Sequence, residues 1–213
     1  RYRSTSFQDY VFITNIQKEV KFDSTEVLTR YNIANISNTY VPIKAQVWVR
    51  NKDYETTYKV KITLDNDTVI EGSHTSPAAT DSTPISTITI ATALKTSLEA
   101  HANASNIAVT LVESQLLIGL TSSSRSIKSF YTSDANGGVL MSGYSNQVTS
   151  IVNLPGTSWE GYTLLVAPDG AANESSYYLK FNAEGTTTDG TFGSGSWEEV
   201  GGWGIEGVID DKT

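Results

Sequence analysis

The chain contains no cysteine, so disulfides, thiolate metal sites and cysteine nucleophiles are excluded. Histidine is nearly as scarce, with only His74 and His101. A Ser-His-Asp triad or a histidine-rich metal site needs more partners, at suitable spacing, than these two offer. No apolar run approaches the roughly 20 residues that a membrane helix requires. No signal peptide is evident, because Arg1 opens in polar sequence without an initiator Met. That opening, and the polar close at Asp210, Asp211, Lys212 and Thr213, fit a fragment of a longer chain. Positive charge is also in deficit, with 15 Lys+Arg against 23 Asp+Glu and a net charge of −8. This balance opposes wrapping nucleic acid, which takes clustered Lys and Arg. It does not oppose a wall past which DNA slides without sticking, and ordinary solubility explains it equally well.

What remains is enough to fold. The 213 residues are 38% apolar and 18% charged, which fits one large or two small packed units rather than a disordered chain. Abundant Thr and Ser, with 16 Gly and 11 Tyr, suit strands and turns. Phe7–Ile16 reads as a strand, and residues 17–40 as a long connector with room for one short strand or turn. In Val41–Arg50, Ile43, Ala45, Val47 and Val49 recur with period two, which predicts a half-buried strand. Thr57–Leu64 alternates in the same way, Asp65, Asn66 and Asp67 form a turn, and Thr68–Glu71 returns, predicting a hairpin that a third strand extends into a meander. Pro84–Ala102 holds the one helical pattern, with Ile90, Leu94 and Leu98 at intervals of four and Thr87 or Thr89 as the cap. Ile107–Leu111 and Gln115–Leu120 predict a hairpin around Glu113 and Ser114, with Gly119 marking a bulge. Placed between strands, the helix is expected to cover a sheet face. Further strands are predicted at Ile127–Thr132, Tyr162–Ala167, Ser176–Phe181, Ser196–Val200 and Gly202–Val208, with Val148–Leu154 extended. Asp134, Asn136, Gly137 and Gly138 form one turn, and Pro168, Asp169 and Gly170 another. Residues 182–195, rich in Gly, Thr and Asp, read as a mobile stretch. The fold class is α+β, mainly β, with antiparallel sheets and hairpins and one helix packed on a sheet face.

Several residues invite a chemical reading. Asp65, Asp67 and Glu71 could offer oxygen ligands to Ca²⁺, but the full loop spacing is missing, and Asp in a hairpin turn also serves the backbone. Glu198 and Glu199 superficially resemble a glycosidase pair, yet strand neighbours point to opposite faces. Trp48, Trp159, Trp197 and Trp203 could build a sugar-stacking platform, or fill cores and interfaces. Trp48 lies on the face opposite Val47 and Val49. Gly201–Gly204 lacks the Lys and following helix of a phosphate loop. Catalytic, cofactor-binding and metal-ligating residues are therefore all expected to be none, and no enzyme activity is expected.

A family resemblance runs collinearly along the chain. Phe7–Asn15 (FQDYVFITN) resembles the strand ADYTFIVNR of tail tubular protein B, the tail nozzle of short-tailed bacteriophages. Val47–Arg50 with Tyr54 and the Val60–Leu64 strand resembles the family's NVR…Y hairpin, and Ile127–Phe130 its IDSFTT. Leu154–Pro155 is similar to LPP, Tyr162–Val166 to GYMVKIVG, and Ser176–Phe181 to QYYVRYDA. Trp197–Glu199 with Gly202–Trp203 resembles VWTE…GW. Residues 17–40 and 182–195 have no clear counterpart. The resemblance implies a virion tail component, a domain inserted into a β-propeller, divided as a propeller-derived strand and connector (1–40), a β-rich subdomain with one helix (41–150) and a second β-rich subdomain (151–213). It implies a hexameric homo-oligomer ring that meets the tail adaptor protein, seats tail fibres and passes DNA without sequence recognition. It implies no cofactor and no membrane insertion. The alternative is a glycan-binding or glycan-hydrolysing tail module. A weaker third reading, DNA gripping, draws on Lys18, Lys21, Arg30, Lys44, Arg50, Lys59 and Lys61 in the first third of the chain.

Overall fold

The computed structural model describes residues 43–81, 83–170, 172, 175–184 and 192–200, together with the strand course of 2–7, 10–15, 21–22 and 207–208. Strands β1 (Tyr2–Phe7) and β2 (Tyr10–Asn15) form an antiparallel hairpin. β2 is the strand expected from the sequence, whereas β1 was not foreseen. Strand β3 (Lys21–Phe22) pairs antiparallel with residues 207–208 near the other end of the chain.

Most of the described residues form stacked β layers. Strands β4 (Lys44–Val49), β5 (Thr57–Leu64) and β6 (Val69–Thr75) are followed by helix α1 (Thr87–Glu99). Then come β7 (Ile107–Val112), β8 (Gln115–Leu120), β9 (Ile127–Ser133), β10 (Met141–Tyr144) and β11 (Gln147–Val148). The chain continues with β12 (Thr157–Trp159), β13 (Thr163–Val166), β14 (Tyr177–Ala183), β15 (Phe192–Val200) and β16 (Gly207–Val208). The outer sheet has the order β6-β5-β9, the middle sheet β10-β4-β8-β7, and the third β11-β13-β14-β15-β12. All neighbours are antiparallel except β11 and β13. The molecule is therefore mainly β with one α-helix among the described residues, as the composition and alternation predict.

Alternation explains the stacking. On β4, Ala45, Val47 and Val49 are fully buried against Tyr58, Val60, Ile62 and Leu64 of the outer sheet. Removing each of the Val, Ile and Leu side chains from water contributes about 1.5–3 kcal/mol before entropy is counted. The opposite face of the middle sheet is also covered. Leu117 and Tyr144 join Leu164, Val166, Leu179 and Phe181 in a second core beneath the third sheet. A half-buried strand was expected at β4, but both of its faces are covered, and Gln46 is as inaccessible as Val47.

The helix closes the first core along the β6 side. Ile90, Ala91, Leu94 and Leu98 form its buried stripe, matching the period-four pattern in the sequence. Its cap is Ser86, not Thr87 or Thr89: Ser86 Oγ accepts from Thr89 N–H at 3.0 Å. Gly72 on β6 lets the helix approach, since a Cβ there would lie 2.7 Å from Leu98 Cγ.

Other sequence expectations are corrected. The β5-β6 hairpin forms as expected, but β4 does not extend it into a meander, because β4 belongs to the middle sheet and the second neighbour of β5 is β9. Gly119 sits in regular register, and the irregularity lies between Thr63 and Leu64. Ile151–Asn153 is a 3₁₀ turn, with Ser150 as its cap, rather than part of an extended run. Strand β12 carried too short an apolar signal to be foreseen. Residues 182–183 end β14 and Phe192–Gly195 begin β15, so both flanks of the supposed mobile stretch are strand. Its centre, residues 185–191, lies outside the described residues, as do most of residues 17–40 and Trp203.

Candidate functional site

The residues singled out for chemistry are dispersed. Asp65 faces Arg125 at 3.6 Å, Asp67 bonds Lys128 at 2.5 Å, and Glu71 bonds Lys59 at 2.7 Å. Each carboxylate has its own exposed cation, and these three do not converge on a shared point. Among the described residues no cluster of His, Cys, Asp and Glu has metal-holding geometry. His74 lies on β6 opposite Tyr58, where burial lowers its pKa and favours neutral imidazole. His101 Nδ1 accepts the backbone N–H of Asn103 at the helix exit. Glu198 is paired across β14 with Lys180 and Glu199 with Leu179, on opposite faces as their adjacency requires.

The tryptophans also take structural places. Trp159 is buried, and its ring meets Tyr162 edge-on at 5.4 Å. Trp197 packs edge-on against Phe181 at 5.1 Å, and its Nε1–H donates to Pro155 O at 2.9 Å. Lys44 Nζ stands 5.1 Å from the Trp159 ring centre. Trp159 is therefore a core residue and Trp197 a half-buried one packed against that core, and their edge-on contacts do not form an open stacking platform.

Three features instead emerge whose side-chain connections the sequence did not flag. The first is a polar seam between the middle and third sheets. Gln46 Nε2 donates to Gln115 Oε1 at 2.6 Å and to Thr157 O at 2.7 Å, and Gln46 Oε1 accepts from Ser158 Oγ at 2.8 Å. Gln46 and Ser158 are completely buried, so these bonds replace water and fix how the layers meet. Tyr162 Oη extends the seam, donating to Ser145 O with Lys44 O a second acceptor at 3.2 Å. Tyr144 Oη is buried there beside Ser158, and burial pushes its pKa well above the ordinary phenol value.

The second is the loop after β9. Asp134, 1% exposed, accepts backbone N–H bonds from Asn136, Gly138, Leu140 and Met141 at 2.6–3.0 Å. Burial works to raise its pKa, but the four N–H groups outweigh it and hold the carboxyl below the usual aspartate value. The positive φ values of Gly137 and Gly138, 68° and 81°, permit the turn.

The third is the end of β4, fixed by that loop. Arg50 N–H donates to Leu140 O at 2.8 Å, while its guanidinium reaches Gly138 O and, at 3.2 Å, Asn153 Oδ1. Beside it runs an open groove of about 340 Å³, lined by uncharged groups that include Thr132, Ser142, Thr149 and Asn153. A smaller hollow of about 210 Å³ continues past Gly143 towards Lys128 and Asn146. Neither places ionisable groups together as acid and base.

This arrangement is that of a layered β protein whose buried polar groups set its internal geometry. The family model for bacteriophage nozzle proteins matches residues 1–213, and the chain belongs to that family. It is thus a structural protein of the phage tail, situated in the virion. Comparison with curated proteins gives no match.

Proposed function

We propose that the chain is the module inserted into the β-propeller of a tail-tubular-B nozzle subunit. In this reading the subunits form a six-membered ring below the portal and adaptor, line or brace the DNA exit channel, and seat tail fibres. The observation that carries the insertion is the pairing of β3 with β16. Phe22 stands opposite Gly207 and Lys21 opposite Val208, so the outgoing and returning segments run side by side and antiparallel. That is the geometry by which a domain leaves and rejoins a host fold without disturbing it.

We further place a subdomain division near residue 150, with the propeller-derived portion before residue 41. Support comes from the two cores: one draws on Ala45 through Met141, the other chiefly on Tyr144 through Ala183. The acidic net charge of −8 suits a channel element that DNA passes without sequence recognition or adhesion. Among the described residues no helix is long and apolar enough to cross a membrane.

The test is electron microscopy of the intact tail, with native mass measurement of the full-length subunit beside purified adaptor rings. The expected result is a ring bound to the adaptor, with this module projecting from a propeller on two adjacent strands. A full-length subunit that stays monomeric and never joins the tail would end the proposal.

A further inference from the structure

We propose that the corner around Arg50 is the contact by which one copy of this chain meets the next. Arg50 is half-buried, yet none of the described carboxylates pairs with it. Its outer nitrogens are held by neutral oxygens, Asn153 Oδ1 and Gly138 O. Its Nε is buried with no partner, and its guanidinium carbon lies 6.0 Å from the Trp48 ring centre. The side chain is thus fixed in place before any partner arrives, while its charge remains uncompensated.

The two segments that hold it carry large aliphatic side chains in the open. Val139 is 65% exposed, Ile151 47% and Val152 69%. They form one patch by connectivity. Val139 lies between Gly138 and Leu140, both bonded to Arg50, and Ile151 and Val152 share a 3₁₀ turn with Asn153. An ordered arginine beside exposed apolar side chains suits an interaction site, where arginine is enriched and desolvation strengthens a charged hydrogen bond.

The occupant is a second copy, on charge complementarity. The missing counterpart is a carboxylate, and the chain carries 23 Asp+Glu against 15 Lys+Arg. Exposed acids such as Glu55, Glu113 and Glu199 have no ion-pair partner within the described part of their own chain. In a closed ring each subunit can offer the Arg50 corner to one neighbour and an acidic surface to the other.

This inference rests on the ring reading above and deepens it. The experiment uses full-length nozzle protein carrying Arg50→Glu or Val152→Asp, with Lys61→Glu as a distant exposed control. Native mass measurement should show at least a tenfold loss of assembled ring for both corner variants, with the control unchanged. Val152→Asp alters an exposed position, so it keeps the test open if Arg50→Glu fails to fold. Separately, Val152→Cys labelled with a maleimide photo-crosslinker should join to a peptide of another copy. Normal assembly of Val152→Asp would overturn the proposal, as would crosslinks confined to other tail proteins. If the unaltered protein forms no ring, the ring reading itself fails; if it forms one that the corner variants do not disturb, only this contact fails.

Discussion

Asp134 shows how much a single side chain can fix. Its carboxylate gathers four backbone N–H groups and so shapes the loop that carries Val139 and supports Arg50. Asp134→Asn keeps the volume but turns an amide N–H₂ towards donors, leaving at least one buried N–H unsatisfied. The expected loss is roughly 2–4 kcal/mol of stability at neutral pH, read as a lower urea midpoint with unchanged slope. The pH dependence follows from the lowered folded pKa. The contribution is fully present above the ordinary aspartate pKa and lost as pH falls through the lower folded value, below about pH 4. Urea midpoints between pH 7 and pH 3 should therefore fall less steeply in Asp134→Asn than in the unaltered protein. The turn itself was legible, since Asp, Asn and paired Gly mark one. The reach of the carboxylate to Leu140 and Met141 was not, because no local rule says which amides a turn aspartate will collect.

At the level of elements, α1 is held by its cap and its approach to β6. Ser86→Ala removes the oxygen that accepts from Thr89 N–H and should cost about 1 kcal/mol. Gly72→Ala places a methyl against Leu98 Cγ and the Leu98 backbone N, at 2.7 and 3.0 Å, with Leu98 fully buried. Overpacking of this kind should cost about 1–3 kcal/mol. Thermal unfolding gives the size, and faster amide exchange in α1 than in the third sheet would locate the effect. Element type was readable from periodicity: two for β4 and β5, four for α1. Partnership was not, because alternation identifies which face is buried and leaves the neighbouring strand open. The predicted meander failed for that reason, with β5 crossing to β9 and β4 to β8 and β10.

Across the whole molecule, the layers share side chains more than backbone ladders. Gln46 joins Gln115, 69 residues away, to Ser158, 112 residues away. Gln46→Ala leaves these partners and Thr157 O without their bonds and opens a cavity, so an expected cost is roughly 3–5 kcal/mol. The third sheet should then exchange its amides well before the outer two, splitting one cooperative transition into two; retained single-step unfolding would show that aromatic packing alone couples the layers. Nothing in the sequence marked this seam. A glutamine on a strand reads as solvent-facing, and only a third layer over that face makes it a core residue. The candidate chemical residues were legible as turn, edge and core positions, whereas the Arg50 corner depends on segments brought together from residues 50, 139 and 151–153.

The β3–β16 pair also has a mechanical consequence. Tension applied through residues 20 and 209 would part this two-residue ladder sequentially, like a zipper, because both grips lie at its open end. The stacked sheets would stay unloaded until that stem had opened. A sudden pull on the segments flanking this pair would thus be absorbed first by a weak, re-formable clasp, sparing the stacked cores.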